Sequence, residues 1–319
     1  MDVFQVIQLC FSGSVILLGV SGNFLVLLAA YREKMLRKVP YIFVLNLSVC
    51  HLMVLLVPYL IFVIATGCGK WKFSSSLCKC QAYLGYTLST EIVTTMILIS
   101  INRYVRVLKP VKYPFIFTQR STSVMIATSW ILSILGNILP LIGYGTFTLN
   151  NARDYMCALQ VSSSVIQITV GGIFVFTAAV IVIFCYVRVF CAIKAHKQRV
   201  RFPEQRTITN MQSGFGIYPR ESRGDDIQVA VTLFLFVVIF GICWSPTIVA
   251  VFINTITGQP TSHLAGIIRV NVLVLETVLD PIVYAIRNRN FRQVLKTACK
   301  KHTRHSWHPS SQPLHPAKT

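Results

Sequence analysis

The chain has 319 residues, 54% of them hydrophobic and 13% charged, where soluble domains carry roughly 25% charged residues. That balance, with a mean hydropathy of +0.63, excludes intrinsic disorder, collagen-like repeats and small disulfide-rich secreted scaffolds. The formal net charge of +20 points to nucleic acid only until the basic residues are located along the chain.

Seven stretches are long enough to cross a bilayer, which takes about 20 mostly apolar residues each. They cover 5–31, 40–66, 79–103, 121–144, 160–187, 227–256 and 265–286. The first, fourth, fifth and sixth contain no Asp, Glu, Lys or Arg. The second holds only His51, and the third has Glu91 inside with Lys79 and Arg103 at its ends. The seventh contains Arg269, Glu276 and Asp280 and is the least hydrophobic. Barrel strands would be about ten residues long with dyad alternation, a pattern these runs lack. The expected fold class is an all-α membrane protein, a seven-transmembrane helix bundle.

Twenty-five of the 30 basic residues lie in one set of connecting segments and five in the other, so the richer set is expected in the cytoplasm. The N-terminus is then outside and the C-terminus inside, and the positive charge reflects topology and anionic lipid; nucleic acid is not expected as a partner. Met1 to Gln5 offers no basic n-region, so the first span is expected to serve as its own insertion signal. The loop 196–226 and the tail after Lys301 are polar and rich in Gly, Pro, Ser or His. Residues 1–301 are expected to form one membrane domain ending in an amphipathic helix, and 302–319 a short disordered tail.

Of ten cysteines, Cys10, Cys50, Cys185 and Cys243 fall within spans, and Cys191 and Cys299 on the cytoplasmic side, where thiols stay reduced. Cys68, Cys78, Cys80 and Cys157 lie outside. Cys157 is alone in the second external loop, so its partner is one of the other three.

Motifs appear in a fixed order through these spans. The first has Gly22-Asn23; the third ends Asn102-Arg103-Tyr104, with Pro110-Val111 behind it; the fourth holds Trp130. The sixth carries Phe240 and Cys243-Trp244-Ser245-Pro246. The seventh ends Asp280-Pro281-Ile282-Val283-Tyr284, followed by Phe291, Val294, Leu295 and Ala298 at amphipathic spacing. Over about residues 15–300 the chain resembles class A, rhodopsin-like G protein-coupled receptors. The resemblance implies a plasma-membrane receptor acting on a heterotrimeric G protein, with arrestin and receptor kinase as further partners, and neither enzymatic activity nor a cofactor. It also implies a disulfide between Cys157 and Cys78, 25 residues before Arg103, leaving Cys68 and Cys80 for a second bridge or as free thiols. The Asn-Arg-Tyr form occurs in melatonin receptors too, a single shared feature that assigns no subfamily.

The resemblance gives several residues switching roles. Arg103 must pair or face water, because an unpaired charge is costly in lipid; snorkelling to lipid phosphates is the plainer reading. Asp226, 18 residues before Trp244, matches the family's restraining acid, with Asp225 beside it. Asn102 replaces the family's usual acid before the arginine. Pro246 kinks the sixth span, and Phe240 and Trp244, four apart, share a face. Tyr186 and Tyr284 match tyrosines that turn toward the arginine, while Ala178 stands where the fifth span usually has proline. Cys299 is a candidate palmitoyl site, with Arg292, Lys296 and Lys300 available for headgroups.

In mid-membrane, His51 occupies the place of the family's sodium-binding acid. Glu276 and Asp280, four apart, share a helix face, and two buried carboxylates resist double ionisation. A protonated His51 completing a His51–Asp280–Glu276 cluster is the preferred reading, with Asn23 and Glu91 in its surroundings. A neutral His51 bonded to Asn23 or Asp280 is the alternative. No metal is expected to reside in the protein.

The ligand pocket is expected from Gly85, Tyr86, Ser89, Thr90, Val170, Phe174, Trp244, Thr247, Ile248, Val251, Val270 and Val274. Gly85 stands where amine receptors have Asp, and Val274 where opsins have the retinal lysine. Apolar walls with a few hydroxyls suit a neutral or lipophilic small molecule. Walker, G-x-S-x-G and H-E-x-x-H patterns are absent, and the tail histidines His302, His305, His308 and His315 read as a solvated tail. A proton-conducting transporter or a non-coupling dimer partner are the competing classes.

Overall fold

The structure is a computed structural model that describes residues 3–33, 37–39, 41–143, 145–149, 155–160, 164–201, 220–257, 262–288 and 291–293. Its seven long helices are α1 (Val3–Arg32), α2 (Tyr41–Gly67), α3 (Ser75–Leu108), α4 (Gln119–Gly136), α5 (Ser164–Arg201), α6 (Arg220–Thr257) and α7 (His263–Arg287). The first six include stretches apolar enough to cross a membrane. α7 carries Arg269, Glu276 and Asp280, and its 25 residues are about 37 Å long at 1.5 Å per residue, enough to span the hydrocarbon. Large apolar side chains such as Leu17, Phe24, Leu132 and Phe176 point outward, as a lipid-facing surface requires.

α3 is the central post, packed on α2, α4 and α5. Ser74 caps it by accepting a bond from the Leu77 amide at 3.2 Å. α1 approaches α7 through small residues. A Cβ on Gly19 would stand 2.6 Å from Leu55 Cδ1 and 3.2 Å from Thr277 Oγ1, and one on Gly22 3.0 Å from Pro281 Cβ. Backbones meet closely there because nothing intervenes.

Four features depart from the expected spans, the first being α6, which begins at Arg220, seven residues before 227. α2 is interrupted by a π-turn over Leu55–Tyr59 around Pro58, whose missing amide loosens the regular ladder. α4 ends at Gly136 and not near residue 144. Asn137 beyond it donates to the Ser133 carbonyl at 2.8 Å, and Pro140 follows in a 3₁₀ turn. α5 runs to Arg201, fourteen residues past the expected 187, because its polar extension still favours helix. Between α4 and α5, β1 (Thr146–Thr148) pairs antiparallel with β2 (Ala158–Gln160), with Phe147 opposite Leu159. Beyond α7, residues 291–293 are helical; Val294, Leu295, Lys296, Ala298, Cys299 and Lys300 lie outside the described residues, as does the tail.

Candidate functional site

At one end of the bundle the hairpin closes the mouth. Cys78 of α3 and Cys157 before β2 are joined, with Cα atoms 5.5 Å apart. Gln81, one turn further along α3, is fully buried and braces the same point. Its Oε1 accepts from the Cys157 amide at 3.2 Å while its Nε2 donates to the Pro58 carbonyl at 3.1 Å. Gln81 was not foreseen, although a glutamine three residues after a bridged cysteine on a buried face was its signal. Phe147 stacks on Tyr86 with ring centroids 5.8 Å apart, and the Tyr86 hydroxyl accepts from the Leu159 amide at 3.4 Å. Cys68 and Cys80 are exposed free thiols, so no second bridge forms.

Beneath this cap the expected pocket residues fall on α3, α5, α6 and α7. Val270 and Val274 are buried; Gly85, Ser89, Thr90, Trp244 and Thr247 are half-buried; Tyr86, Phe174 and Ile248 are exposed. The Val170 and Val251 side chains lie outside the described residues. Thr90 is engaged already, donating to the Tyr86 carbonyl at 2.9 Å and accepting from Asn137 at 3.1 Å.

A small cavity of about 10 Å³, room for about one water molecule, lies deeper, lined by Asn23, Ser48, His51, Phe236, Asp280 and Tyr284, among others. His51 Nε2 is 3.9 Å from Glu276 Oε1 and 4.0 Å from Asp280 Oδ2, and all three side chains are buried. The expected cluster therefore assembles, with two corrections. Asn23 does not bond His51; its amide donates to the Gly19 and Thr277 carbonyls, both at 2.8 Å. Glu91 is not part of this cluster. Its face of α3 turns toward α2 and α4, where it accepts from Asn46 (2.9 Å), Thr95 (3.3 Å), Ser129 (2.8 Å) and Ser133 (3.1 Å). Trp130 completes that second site by donating to Asn46 Oδ1 at 2.9 Å.

Trp244 couples the upper region to the His51 cluster. Its ring stacks on Phe240 at 5.0 Å, and its Nε1 donates to Glu276 Oε2 at 3.2 Å. The rotation of α7 that would have revealed this link is not encoded in motif spacing. Among the described residues, His51, Glu276 and Asp280 are the group whose donor atoms stand close enough to hold a metal ion, all within 4.8 Å of one another.

At the far end Arg103 is 1% exposed, which rules out snorkelling to lipid phosphates. Asn102 donates to the Tyr113 hydroxyl at 3.3 Å, and Arg106 lies over the Tyr113 ring at 4.9 Å. Tyr104 packs against Phe184 at 5.8 Å. Tyr186 is buried against Phe234 at 5.2 Å, and Tyr284 meets Phe291 edge-on at 5.1 Å. Asp225 and Asp226 fall within α6, with side chains outside the described residues.

Comparison with known proteins agrees with this geometry. The family described as "7 transmembrane receptor (rhodopsin family)" matches residues 22–284. Melatonin receptor type 1C of Xenopus laevis is 28% identical over 289 residues, 88% of this chain and 64% of that receptor, so the chain spans just under two thirds of its length. Melatonin receptor type 1A of Phodopus sungorus is likewise 28% identical over 289 residues, 88% of this chain and 76% of that receptor. In fold, squid rhodopsin superposes with a TM-score of 0.78 at 20% identity, over 97% of this chain and 89% of that one. The chain belongs to the rhodopsin family of seven-transmembrane receptors: it is a multi-pass membrane receptor of the G protein-coupled class and not an enzyme.

Proposed function

We propose that this receptor lies in the plasma membrane with its N-terminus outside and its C-terminus in the cytoplasm. There it converts binding of a neutral or lipophilic small molecule beneath the β1–β2 cap into opening of the Arg103 end. Residues 1–301 act as the receptor unit, an amphipathic segment beginning at Phe291 lies on the inner leaflet with Cys299 as an acyl acceptor, and 302–319 form the tail. Arrestin and a receptor kinase are the further partners of the opened state. The orientation follows from 25 basic residues on one side against five on the other.

The observation that carries the mechanism is the bond from Trp244 to Glu276. A ligand that displaces the Trp244 ring moves the donor on which Glu276 depends, and with it the packing of α6 on α7. The switching residues Asn102, Arg103, Tyr104, Tyr186, Asp226, Phe240, Pro246, Asp280, Pro281 and Tyr284 then carry the change to the G protein side. Only differential contact with closed and open states shifts their balance. Gly85 supports a neutral ligand: it stands where amine receptors hold a carboxylate, and a Cβ there would meet nothing nearer than Pro58 Cβ at 3.9 Å.

The relatives named as melatonin receptors make melatonin the first compound to test. Purified receptor in lipid nanodiscs is assayed for nucleotide exchange on purified G proteins with melatonin, a panel of neutral compounds and a panel of protonated amines. A neutral compound is expected to raise exchange, and Gly85→Phe, which fills the pocket, to abolish its effect. Activation by protonated amines alone, or a response unaltered by Gly85→Phe, overturns the proposal.

A further inference from the structure

We propose that His51, Glu276 and Asp280 form a binding site for a divalent transition-metal cation of the zinc class, one hydrogen bond from Trp244. Five polar atoms of these side chains are buried without a hydrogen-bond partner: both nitrogens of His51, Glu276 Oε1, and both Asp280 oxygens. Each such atom is costly in a low-dielectric interior unless something engages it. They converge from α2 and α7 on one point, His51 Nε2 being 3.9 Å from Glu276 Oε1 and 4.0 Å from Asp280 Oδ2.

The donor set selects the cation. Once all three groups ligate a cation, two ionised carboxylates and a neutral imidazole carry a charge of −2, which a divalent ion cancels and a monovalent ion does not. Imidazole suits zinc, copper, iron and nickel, whereas hard cations take oxygen. Zinc accepts both imidazole nitrogen and carboxylate oxygen, and three protein ligands suffice where a fourth position stays open. With metal–ligand bonds of about 2.1 Å, tetrahedral ligands stand about 3.4 Å apart. The two separations from His51 exceed this by about half an ångström and all three donor atoms lie within 4.8 Å of one another, a spread that the soft terminal torsions of Glu and Asp can narrow. Asn23 Oδ1, also buried without a hydrogen-bond partner, belongs to a residue that lines the same small cavity as His51 and Asp280.

Trp244 gives the site a consequence. It holds Glu276 Oε2, so a metal on Oε1 and the indole share one carboxylate. Cation occupancy and the position of Trp244 are then thermodynamically linked, each altering the free energy of the other. This coupling rests on the ligand reading above; metal binding itself does not, and it is tested directly.

The test uses the full-length receptor in nanodiscs, purified without a polyhistidine tag, with His302, His305, His308 and His315 changed to Ala to remove tail chelation. Zn²⁺ is titrated against a chromophoric chelator, and Co²⁺ is used as a visible probe. One equivalent per receptor is expected, with a Co²⁺ spectrum of nitrogen and oxygen ligation lacking thiolate charge transfer, which excludes Cys50 and Cys243. Because His51→Ala can fail to fold, His51→Asp and Glu276→Gln are measured with it. Each is expected to weaken Zn²⁺ binding by at least about tenfold, the lower range of what even an outer-shell change costs, while thermal unfolding in chelator shows a folded receptor. The absence of saturable Zn²⁺ binding, or affinity unchanged in folded His51→Asp, overturns the proposal.

Discussion

Glu91 and Glu276 are both glutamates sealed inside the bundle, 0% and 2% exposed, yet their surroundings are opposite. Glu91 accepts four side-chain hydrogen bonds from three helices. Among the described residues, Glu276 accepts one, from Trp244, and its second oxygen faces His51 across 3.9 Å. The contrast separates fastening from switching. A carboxylate surrounded by donors holds its neighbours together, whereas one facing another carboxylate and an imidazole responds to whatever enters. α4 illustrates the first role. Its described buried residues are Thr122, Ser129 and Ser133, two of them on Glu91, so this helix is seated by polar contacts more than by apolar packing.

The largest test is to remove each carboxylate in turn. Glu91→Ala leaves Asn46, Thr95, Ser129 and Ser133 without their shared acceptor. Unsatisfied buried groups cost about 1–3 kcal/mol each, moderated in membranes by rearrangement, so a loss of about 3 kcal/mol is expected. Glu276→Ala relieves the carboxylate pair and is expected to change stability by less than about 1 kcal/mol. Thermal unfolding of both receptors in chelator ranks them, and the reverse ranking breaks the contrast.

Arg103 extends the comparison to a buried cation. With Asn102 uncharged and bonded to Tyr113, Asp226 is the acid proposed to restrain the closed state. Asp226→Asn removes a charge-assisted bond of at least roughly 1.5 kcal/mol. That is about tenfold in an equilibrium constant. Basal nucleotide exchange at matched surface expression is expected to rise several-fold for Asp226→Asn and to stay level for Asp225→Asn. A rise confined to Asp225→Asn moves the register of α6 by one residue.

The switching site has its own smaller test. Trp244→Phe keeps the ring against Phe240 but deletes the donor to Glu276. A single bond contributes about 1 kcal/mol, roughly a fivefold change in the closed-to-open balance. Basal exchange reads it, and no change means that Trp244 acts by packing alone.

Much of this was legible in the chain. Span lengths and the absence of charge marked the helices, and the Cys78, Arg103, Trp244 and Asp280-Pro281 motifs fixed their order. The partners of Glu91 were not legible, because spacing along one helix says nothing of how it is rotated against its neighbours. Glu276 and Asp280 share a face by periodicity, so their meeting could be read directly. Glu91 meets Asn46, Ser129 and Ser133 at sequence separations of 45, 38 and 42 residues, and only the packing of α2, α3 and α4 decides that. The π-turn at Pro58 and the Gln81 brace are of the same kind, set by where backbone carbonyls lose their partners.

The finest test lies inside the fastening site and concerns the two oxygens of Glu91. Oε1 accepts from Asn46, Thr95 and Ser129, whereas Oε2 accepts from Ser133 at 3.1 Å. Thr95→Val removes the longest of three bonds to one oxygen and leaves that oxygen satisfied; the Asn46 amide, which also donates to Thr95 Oγ1 at 2.8 Å, keeps its bond to Glu91. Ser133→Ala removes the donor that the structure gives to the other and strands it in the interior. Interhelical bonds in membranes average about 0.6 kcal/mol and reach about 1.7, so Ser133→Ala is expected near 1 kcal/mol and Thr95→Val below about 0.5. The comparison is sharpened further by Thr95 and Glu91 being four apart on α3, where their contact survives movement of α4, while the Ser133 bond crosses between helices. Unfolding midpoints measured side by side should therefore separate the two variants, with Ser133→Ala the lower. Equal midpoints would mean that the second oxygen is satisfied by another route and that α4 is held by its remaining contacts.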